Sequence, residues 1–416
     1  MENTNYEASV TALRKLLMID TSSVPPLEGM PFGEGNATAL NFTLDLLKGF
    51  GFKTKNIDNY CGWAEIGEGE LFGVLAHLDT VPAGVGWTYP PFGAEIHNGR
   101  IYARGAEDDK GPLVAVIYAV ARILAGGKKP KMRLRFILGC NEESGWKCMD
   151  RYKETEEMPQ LGFSPDSDFP VINCEKGVLR HKISFPLPPE IRDISGGEQA
   201  NIVPDYATAT LKCGKTIEAR GKSAHGSRPK EGENAIIKLL SSLISEEKAE
   251  NLTKLHSALK NSDGEGVNLK LSDSKSGALT INLGVISAEN GTITIKTDIR
   301  YPVSFKKEEI TARLAEALPF CTVSEGAHNP PLYVPPNHPL VLGLLSAYSE
   351  VTGDTASTPL AIGGATYARV LPLGVSFGPV FPSEPSTVHA KDENISLGNF
   401  KKLQEIYQKA LEKLCF

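Results

Sequence analysis

Several short stretches of this 416-residue sequence gather side chains able to bind metal or move protons. His77 and Asp79 stand in AHLDTVPAG. A His followed two residues later by Asp suits a metal ligand whose second ring nitrogen is held by a carboxylate. Most such pairs are nevertheless ordinary loop groups. Asp108 and Asp109 stand in ARGAEDDKG, just ahead of a helical run, where a carboxylate also serves as a cap or dipole partner. Glu142 and Glu143 are neighbours in GCNEESGW; like charges repel, and a cation would give the pair a reason to be adjacent. Asp166 in SPDSDFP and His389 in STVHAKDEN, taken singly, read as surface loop groups. His225 differs from the remaining histidines because it lies in GKSAHGSRPKEGENA, a small-residue loop ahead of a helix.

The elements that must carry these groups follow from hydrophobic spacing. Tyr6 to Ile19 and Ala37 to Phe50 have apolar residues at helical intervals, the second ending at Gly51. LFGVLAHLD, Leu71 to Asp79, is a short apolar run that reads as a strand buried on both faces. A helix opens near Lys110, the next strand is Met132 to Cys140, and a helix near Gly145 to Glu156 follows. Such alternation predicts an α/β domain with a mostly parallel sheet covered by helices. In such sheets ligands bind beyond the carboxyl ends of the strands, which is where His77, Asp79, Glu142 and Glu143 fall.

After about Gly177 the texture changes to alternating strands, helices near Asn234–Ile244 and Leu252–Leu259, and a hairpin turning at Asn290-Gly291. A helix near Lys307 to Leu318 closes this block. The α/β texture returns after Pro330-Pro331, with a helix from Pro339 to Val351, the strand VSFGPV and a last helix from Ser396. The expected organisation is one α/β domain in two segments, 1–177 and 329–416, interrupted by a smaller inserted α+β domain, 178–328.

Composition narrows the function. Lys and Arg number 44 against 50 Asp and Glu, a net charge of −6 that offers no broad attraction for nucleic acid or anionic membrane. The longest apolar runs fall short of the roughly 20 residues a membrane span needs. The acidic start, MENTNYEASVTALRKLL, lacks a secretory pattern, and the seven cysteines are scattered without a CxxC pair. The expectation is a cytoplasmic protein with reduced thiols.

HLDTVP, RGAEDDKG, NEESG, SPDSDFP and a late His, in that order, resemble the di-metal peptidase family. That family includes aminoacylase, acetylornithine deacetylase, succinyl-diaminopimelate desuccinylase, carboxypeptidase G and the carnosinases. SPDSDFP, GKSAHGS, DIRYP and GGATYAR are most similar to its peptidase V-type bacterial dipeptidases. The resemblance spans nearly the whole chain and implies a phosphorylase/hydrolase-like catalytic domain with a lid. It implies that Asp108 bridges two metals, with Asp109 the alternative one place along. His77 and Asp166 would complete one metal's shell, and Glu143 and His389 the other's. Asp79 would orient His77, and Glu142 would be the general base.

By the same resemblance, His225 would stabilise the oxyanion, with Asn201 of ANIVPD donating nearby. Arg300 of TDIRYP would hold the substrate carboxylate by a bidentate pair, although a strand-face ion pair is the plainer reading. Gly363 and Gly364 would offer backbone N–H groups at a helix start. Three carboxylates and a bridging hydroxide balance two divalent ions, and His and carboxylate ligands suit Zn²⁺, or Mn²⁺ or Co²⁺. The metals would lower the pKa of bound water to about 7 and polarise the scissile carbonyl.

The expected reaction is hydrolysis of unblocked dipeptides by a monomer or homodimer, with metal-bound hydroxide as nucleophile. An N-acyl amino acid deacylase on the same scaffold is the alternative, and a non-catalytic binding relative a remoter one. The family's dipeptidase branch looks like Asp at position 166, whereas deacylases typically carry Glu. Asp392 and Glu393 resemble the family's acidic tail and receive no role. The chain is shorter than typical peptidase V relatives, the loss falling between Asn201 and His225.

Overall fold

LFGVLAH folds as the strand Leu71–His77, buried at every position. A computed structural model of the chain describes residues 2–247 and 250–416. Leu71–His77 is flanked in parallel by Arg133–Gly139 on one side and Leu161–Ser164 on the other, and Leu373–Ser376 joins Leu161–Ser164, also in parallel. These four strands form the centre of an α/β sheet. The sheet is mixed rather than mostly parallel: on one side Cys61–Ile66 pairs antiparallel with Arg133–Gly139 and Lys53–Ile57 with Cys61–Ile66, forming a hairpin, and on the other Ile172–Glu175 pairs antiparallel with Leu373–Ser376. No sequence expectation covered this hairpin, because its outer strand is too polar to carry an alternating signal.

The helices Lys110–Ala125 and Leu397–Leu414 pack together beside this sheet. Lys110–Ala125 is buried along almost its whole length, which a sequence as apolar as GPLVAVIYAVARILA demands. Ser396 caps Leu397–Leu414 by accepting from the Asn399 N–H, which accounts for the helix starting where the sequence suggested. Trp146 takes a left-handed backbone, φ 62°, so its helix begins at Lys147. Among the described residues no helix is long and apolar enough to cross a membrane. Five of the cysteines are buried, as small hydrophobes, and all seven are free thiols.

The chain divides into two compact units. The first is 1–173, 334–360 and 366–416; the second is 174–333 with Ala361–Ala365. The second unit therefore starts four residues before the expected boundary at 178, runs five beyond 328, and takes in a short return segment. Its core is an antiparallel seven-stranded sheet in the order Thr216–Arg220, Tyr206–Leu211, Ile191–Gly196, Thr280–Glu289, Thr292–Tyr301, Gly177–Pro186, Thr322–Asn329. The hairpin turns at Asn290-Gly291, both at positive φ, as a two-residue loop between right-twisted strands requires. Ala235–Glu247, Glu250–Leu259 and Lys307–Ala317 supply Leu and Ile to that core.

Gly73 and Gly162 face each other between the strands that lead to His77 and Asp166. A Cβ on Gly162 would stand 2.0 Å from the Gly73 carbonyl oxygen. Gly162→Ala is therefore expected to destabilise the first unit by about 1–3 kcal/mol, the usual cost of overpacking. Urea denaturation reads this directly, and an unchanged midpoint would show that the strands do not meet so closely.

Candidate metal centre

Asp108 is the meeting point. Its Oδ1 lies 2.9 Å from His77 Nε2, and its Oδ2 lies 2.9 Å from His389 Nε2. One carboxylate thus addresses two imidazoles, an oxygen to each. Glu143 Oε1 is 3.0 Å from the same His389 nitrogen, and Asp166 Oδ2 is 3.8 Å from His77 Nε2. Ligand atoms of His77, Asp108 and Glu143 all lie within 4.8 Å of one another. The five side chains come from the ends of the Leu71–His77 and Leu161–Ser164 strands and from the loops around them, all within the first unit. Asp109 is not in this cluster; its Oδ2 accepts the backbone N–H of His77, so the register with Asp108 at the centre is the one observed.

His77 is 1% exposed at its side chain, and its Nδ1–H donates to the Asp79 backbone carbonyl at 2.9 Å. A carbonyl only accepts, so Nδ1 keeps its proton, and Nε2, which donates to the Asp108 carboxylate, is the nitrogen that would give up its proton to a cation. This revises the expected role of Asp79. Its carboxylate lies 3.7 Å from the same nitrogen and instead accepts the backbone N–H groups of Glu142 and Glu143, at 2.9 and 3.0 Å. The side chain steers the loop bearing the two glutamates; the main chain steers the imidazole.

The two adjacent glutamates diverge. Glu143 meets His389, whereas Glu142 Oε1 accepts the indole N–H of Trp146 at 3.1 Å. Trp146 was not singled out in the sequence. Its ring packs edge-on against Tyr367, which in turn stands edge-on to His77.

Electrostatics show how crowded the acids are. Burial opposes ionisation of Asp108, yet hydrogen bonds from His389 and His77 outweigh it and hold the carboxyl below its usual range. Burial, then the Asp108 charge, pushes Asp166 up to about 8, and burial likewise pushes Glu142 up. Hydrogen bonds to Asp108 and Glu143 raise the His389 imidazole to about 10. Two imidazoles and three carboxylates converging with no backbone N–H among the described residues to satisfy the acids fit divalent cations, which would supply the missing positive charge.

The second unit holds the other expected residues. His225 Nδ1 accepts from Ser227, Oγ at 2.7 Å and N–H at 3.3 Å, which leaves the proton on Nε2. Desolvation, with the Arg300 guanidinium second, pulls this imidazole below its ordinary value, so it is a neutral N–H donor. Asn201 lies beside it, its carbonyl accepting the Gly226 N–H at 2.7 Å. The contact uses the main chain, and among the described residues no hydrogen bond places the Asn201 amide in the role expected for it.

Arg300 is already engaged. Asp298 takes its Nε and Nη2 at 2.5 and 3.1 Å, and Nη1 donates to the Gly363 carbonyl at 2.6 Å. A guanidinium has five N–H donors, and these bonds use three, so the edge expected to grip a substrate carboxylate belongs to Asp298. The plainer reading of Arg300 as an ion-paired strand residue describes this contact, except that the pair is buried. Gly363 and Gly364 do not open a helix. They follow the strand Leu360–Ile362 and precede a four-residue 3₁₀ turn, Tyr367–Val370. Gly363 is required by contact: a Cβ there would meet Ser227 Cβ at 2.9 Å.

The model of peptidase family M20/M25/M40 matches residues 73–413, a span that begins just before His77 and ends beyond His389. The chain belongs to this family. As an M20/M25/M40 member it is a peptidase. It is 35% identical over 445 residues to YtjP of Bacillus subtilis strain 168, a protein provisionally named a dipeptidase, across 97% of this chain and 95% of that one. A Staphylococcus aureus strain USA300 protein with the same provisional name is 34% identical over 454 residues, covering 98% and 97%. Among solved structures, human carnosine dipeptidase 1 superposes with a TM-score of 0.61 at 15% identity, over 99% of this chain and 97% of that one. The Bacillus subtilis YXEP protein, titled a dinuclear metal-binding peptidase of the M20 family, gives 0.59 at 11% identity, over 99% and 98%. At these identities the structures establish the M20 fold.

The Asp79 geometry makes a discriminating expectation for this M20 chain. Asp79→Asn keeps the backbone carbonyl that orients His77 but loses one of two acceptors for the glutamate loop. Metal content should be retained while kcat falls about 10- to 100-fold, the rate equivalent of a mispaired buried group worth about 1–3 kcal/mol. Loss of metal at the same rate constant per bound ion would restore the imidazole-orienting role to the carboxylate.

Proposed function

We propose that this chain hydrolyses the peptide bond of dipeptides whose two termini are free, using two divalent metal ions. The observation that carries the proposal is the pair of Asp108 oxygens, each 2.9 Å from a different imidazole, with Asp166 and Glu143 beside the respective imidazoles. His77, Asp108 and Asp166 would hold one ion, and Asp108, Glu143 and His389 the other; Zn²⁺ suits these donors, as do Mn²⁺ and Co²⁺. When bound, the ions supply Lewis-acid activation of water and of the scissile carbonyl. Dipeptidase action is further supported by the names carried by the Bacillus and Staphylococcus relatives.

The chain's own groups then do the proton work. Glu142 takes a proton from the attacking water and delivers it to the leaving amine. Trp146 fixes Oε1 of Glu142 by its indole N–H, so Oε2 is the oxygen assigned to the proton. His225, neutral with its proton on Nε2, is the proposed donor to the developing oxyanion. A carboxylate of the substrate would have to use the two Arg300 N–H groups that Asp298 and Gly363 leave over. The shorter Asp at 166, in place of Glu, leaves room for a free substrate ammonium. We place the enzyme in the cytoplasm, on the strength of its scattered, unpaired cysteines.

Two measurements test this reading. Glu142→Ala is expected to lower kcat on a dipeptide by about 10²–10⁴-fold, the range of general acid–base catalysis, with metal content unchanged; an unaltered rate would remove Glu142 from the mechanism. A panel assayed after metal stripping and reloading with Zn²⁺ or Mn²⁺ should show hydrolysis of free dipeptides and little action on N-acetyl amino acids. The reverse preference would assign the chain to the deacylases, and binding of both substrates without turnover would make it a binding relative.

A further inference from the structure

Two carboxylates outside the metal cluster cross between the loops that carry Asp108 and His389. Glu393, four residues after His389, is 1% exposed and holds the loop before Asp108. Its Oε1 accepts the backbone N–H groups of Glu107 and Asp108 at 2.8 and 3.1 Å. Its Oε2 accepts from Arg104 Nη1 at 2.7 Å and from the Gly105 N–H at 3.1 Å. The Glu393 carbonyl takes the Ala103 N–H at 3.0 Å, so side chain and main chain grip the same stretch. Glu107, the residue before Asp108, reaches the other way: its Oε2 accepts the Thr387 N–H and hydroxyl at 2.6 and 2.8 Å, two residues before His389.

Each loop thus donates a carboxylate to the other's backbone. His389 needs such support. Its side chain is 49% exposed, and its backbone sits in the left-handed region at φ 59°, which costs a non-glycine residue about 1–3 kcal/mol unless its surroundings impose it. His77 needs none of it, being buried at a strand end and held by Asp79 and Asp109.

We propose that Glu107 and Glu393 are positioning residues that lock Asp108 and His389 together, so that the ion on the His389 side depends on them far more than the ion on the His77 side. The proposal rests on the two-ion reading above. It predicts unequal damage, which a merely structural buried ion pair between Arg104 and Glu393 would not produce.

The test is a Co²⁺ titration of the metal-stripped full-length chain, followed by calorimetry and visible absorption, for wild type, Glu393→Gln and Glu107→Gln. Wild type should bind two ions. Either variant should weaken one site by about 10- to 100-fold, the usual cost of losing a group that orients a metal ligand, and leave the other within a few-fold. Hydrogen exchange at the Gly105 and Asp108 amides should rise in Glu393→Gln. Two ions bound by both variants with wild-type affinities, or equal weakening at both sites, would overturn the clasp and leave the two-ion reading standing. A wild type that binds fewer than two ions would instead remove the two-ion reading and the clasp with it. Should Glu393→Gln lose its circular dichroism signal, Glu107→Gln carries the test, because it leaves the Arg104 pair intact.

Discussion

The constraint behind this site is the cost of bringing carboxylates together out of water. Asp79, Asp108, Asp109 and Glu393 are buried at one end of the sheet, with Glu142, Glu143 and Asp166 beside them. A buried charge must be paired or hydrogen-bonded, and the ways these acids meet that demand divide them by job. Asp79 is met by two backbone N–H groups, Glu393 by three and a guanidinium, and Glu107 by Thr387. Asp108, Glu143 and Asp166 find chiefly imidazoles and one another. Acids satisfied by the backbone build loops; acids left facing imidazoles are the ones a cation completes.

The fold makes the arrangement affordable. Parallel strands end together, so one edge of the sheet delivers His77, the Glu142–Glu143 loop and Asp166 without long excursions. Gly73 and Gly162 let the two strands that lead to His77 and Asp166 come close. Gly111 does the same where the helix after Asp108 begins, since a Cβ there would lie 2.0 Å from the Ala106 carbonyl oxygen. The acidic loop is thereby pressed against the helix start rather than spread into solvent.

Much of this was legible in the amino-acid order, for definite reasons. A seven-residue run as apolar as LFGVLAH has no stable home but a strand covered on both faces, and 3.6-residue spacing located the long helices to within a few residues. His77 and Glu143 stand out at strand ends, whereas the set of five was readable only through the resemblance to the di-metal peptidase family, because Asp108, Asp166 and His389 taken singly look like capping or surface loop groups. What stayed hidden depends on main-chain partners, which leave no mark in residue type. An Asp two places after a His looks the same whether its carboxylate or its carbonyl meets the ring, and Asp79 uses the carbonyl. Glu393 looks like tail acidity because its partners are amides of a distant loop. Gly363 looked like a helix start because nothing local announces that Arg300 will bond its carbonyl and Ser227 will press against it.

The two imidazoles also differ in how firmly the protein owns them. His77 is 1% exposed and His389 49% exposed at the side chain. His77 sits on a central strand, with its tautomer set by a carbonyl two residues away. His389 sits on a loop tied to the Asp108 loop by the Glu107 and Glu393 carboxylates. A ligand on a rigid strand is pre-organised, so binding there pays little ordering entropy; a ligand on a loop must be fixed by its supports or by the ion itself. Two ions sharing Asp108, as proposed above, would therefore not be equivalent even with chemically similar donors. The His77 side is built into the sheet, while the His389 side is assembled from loops, and differences in affinity among family members with this donor set should arise in the loops.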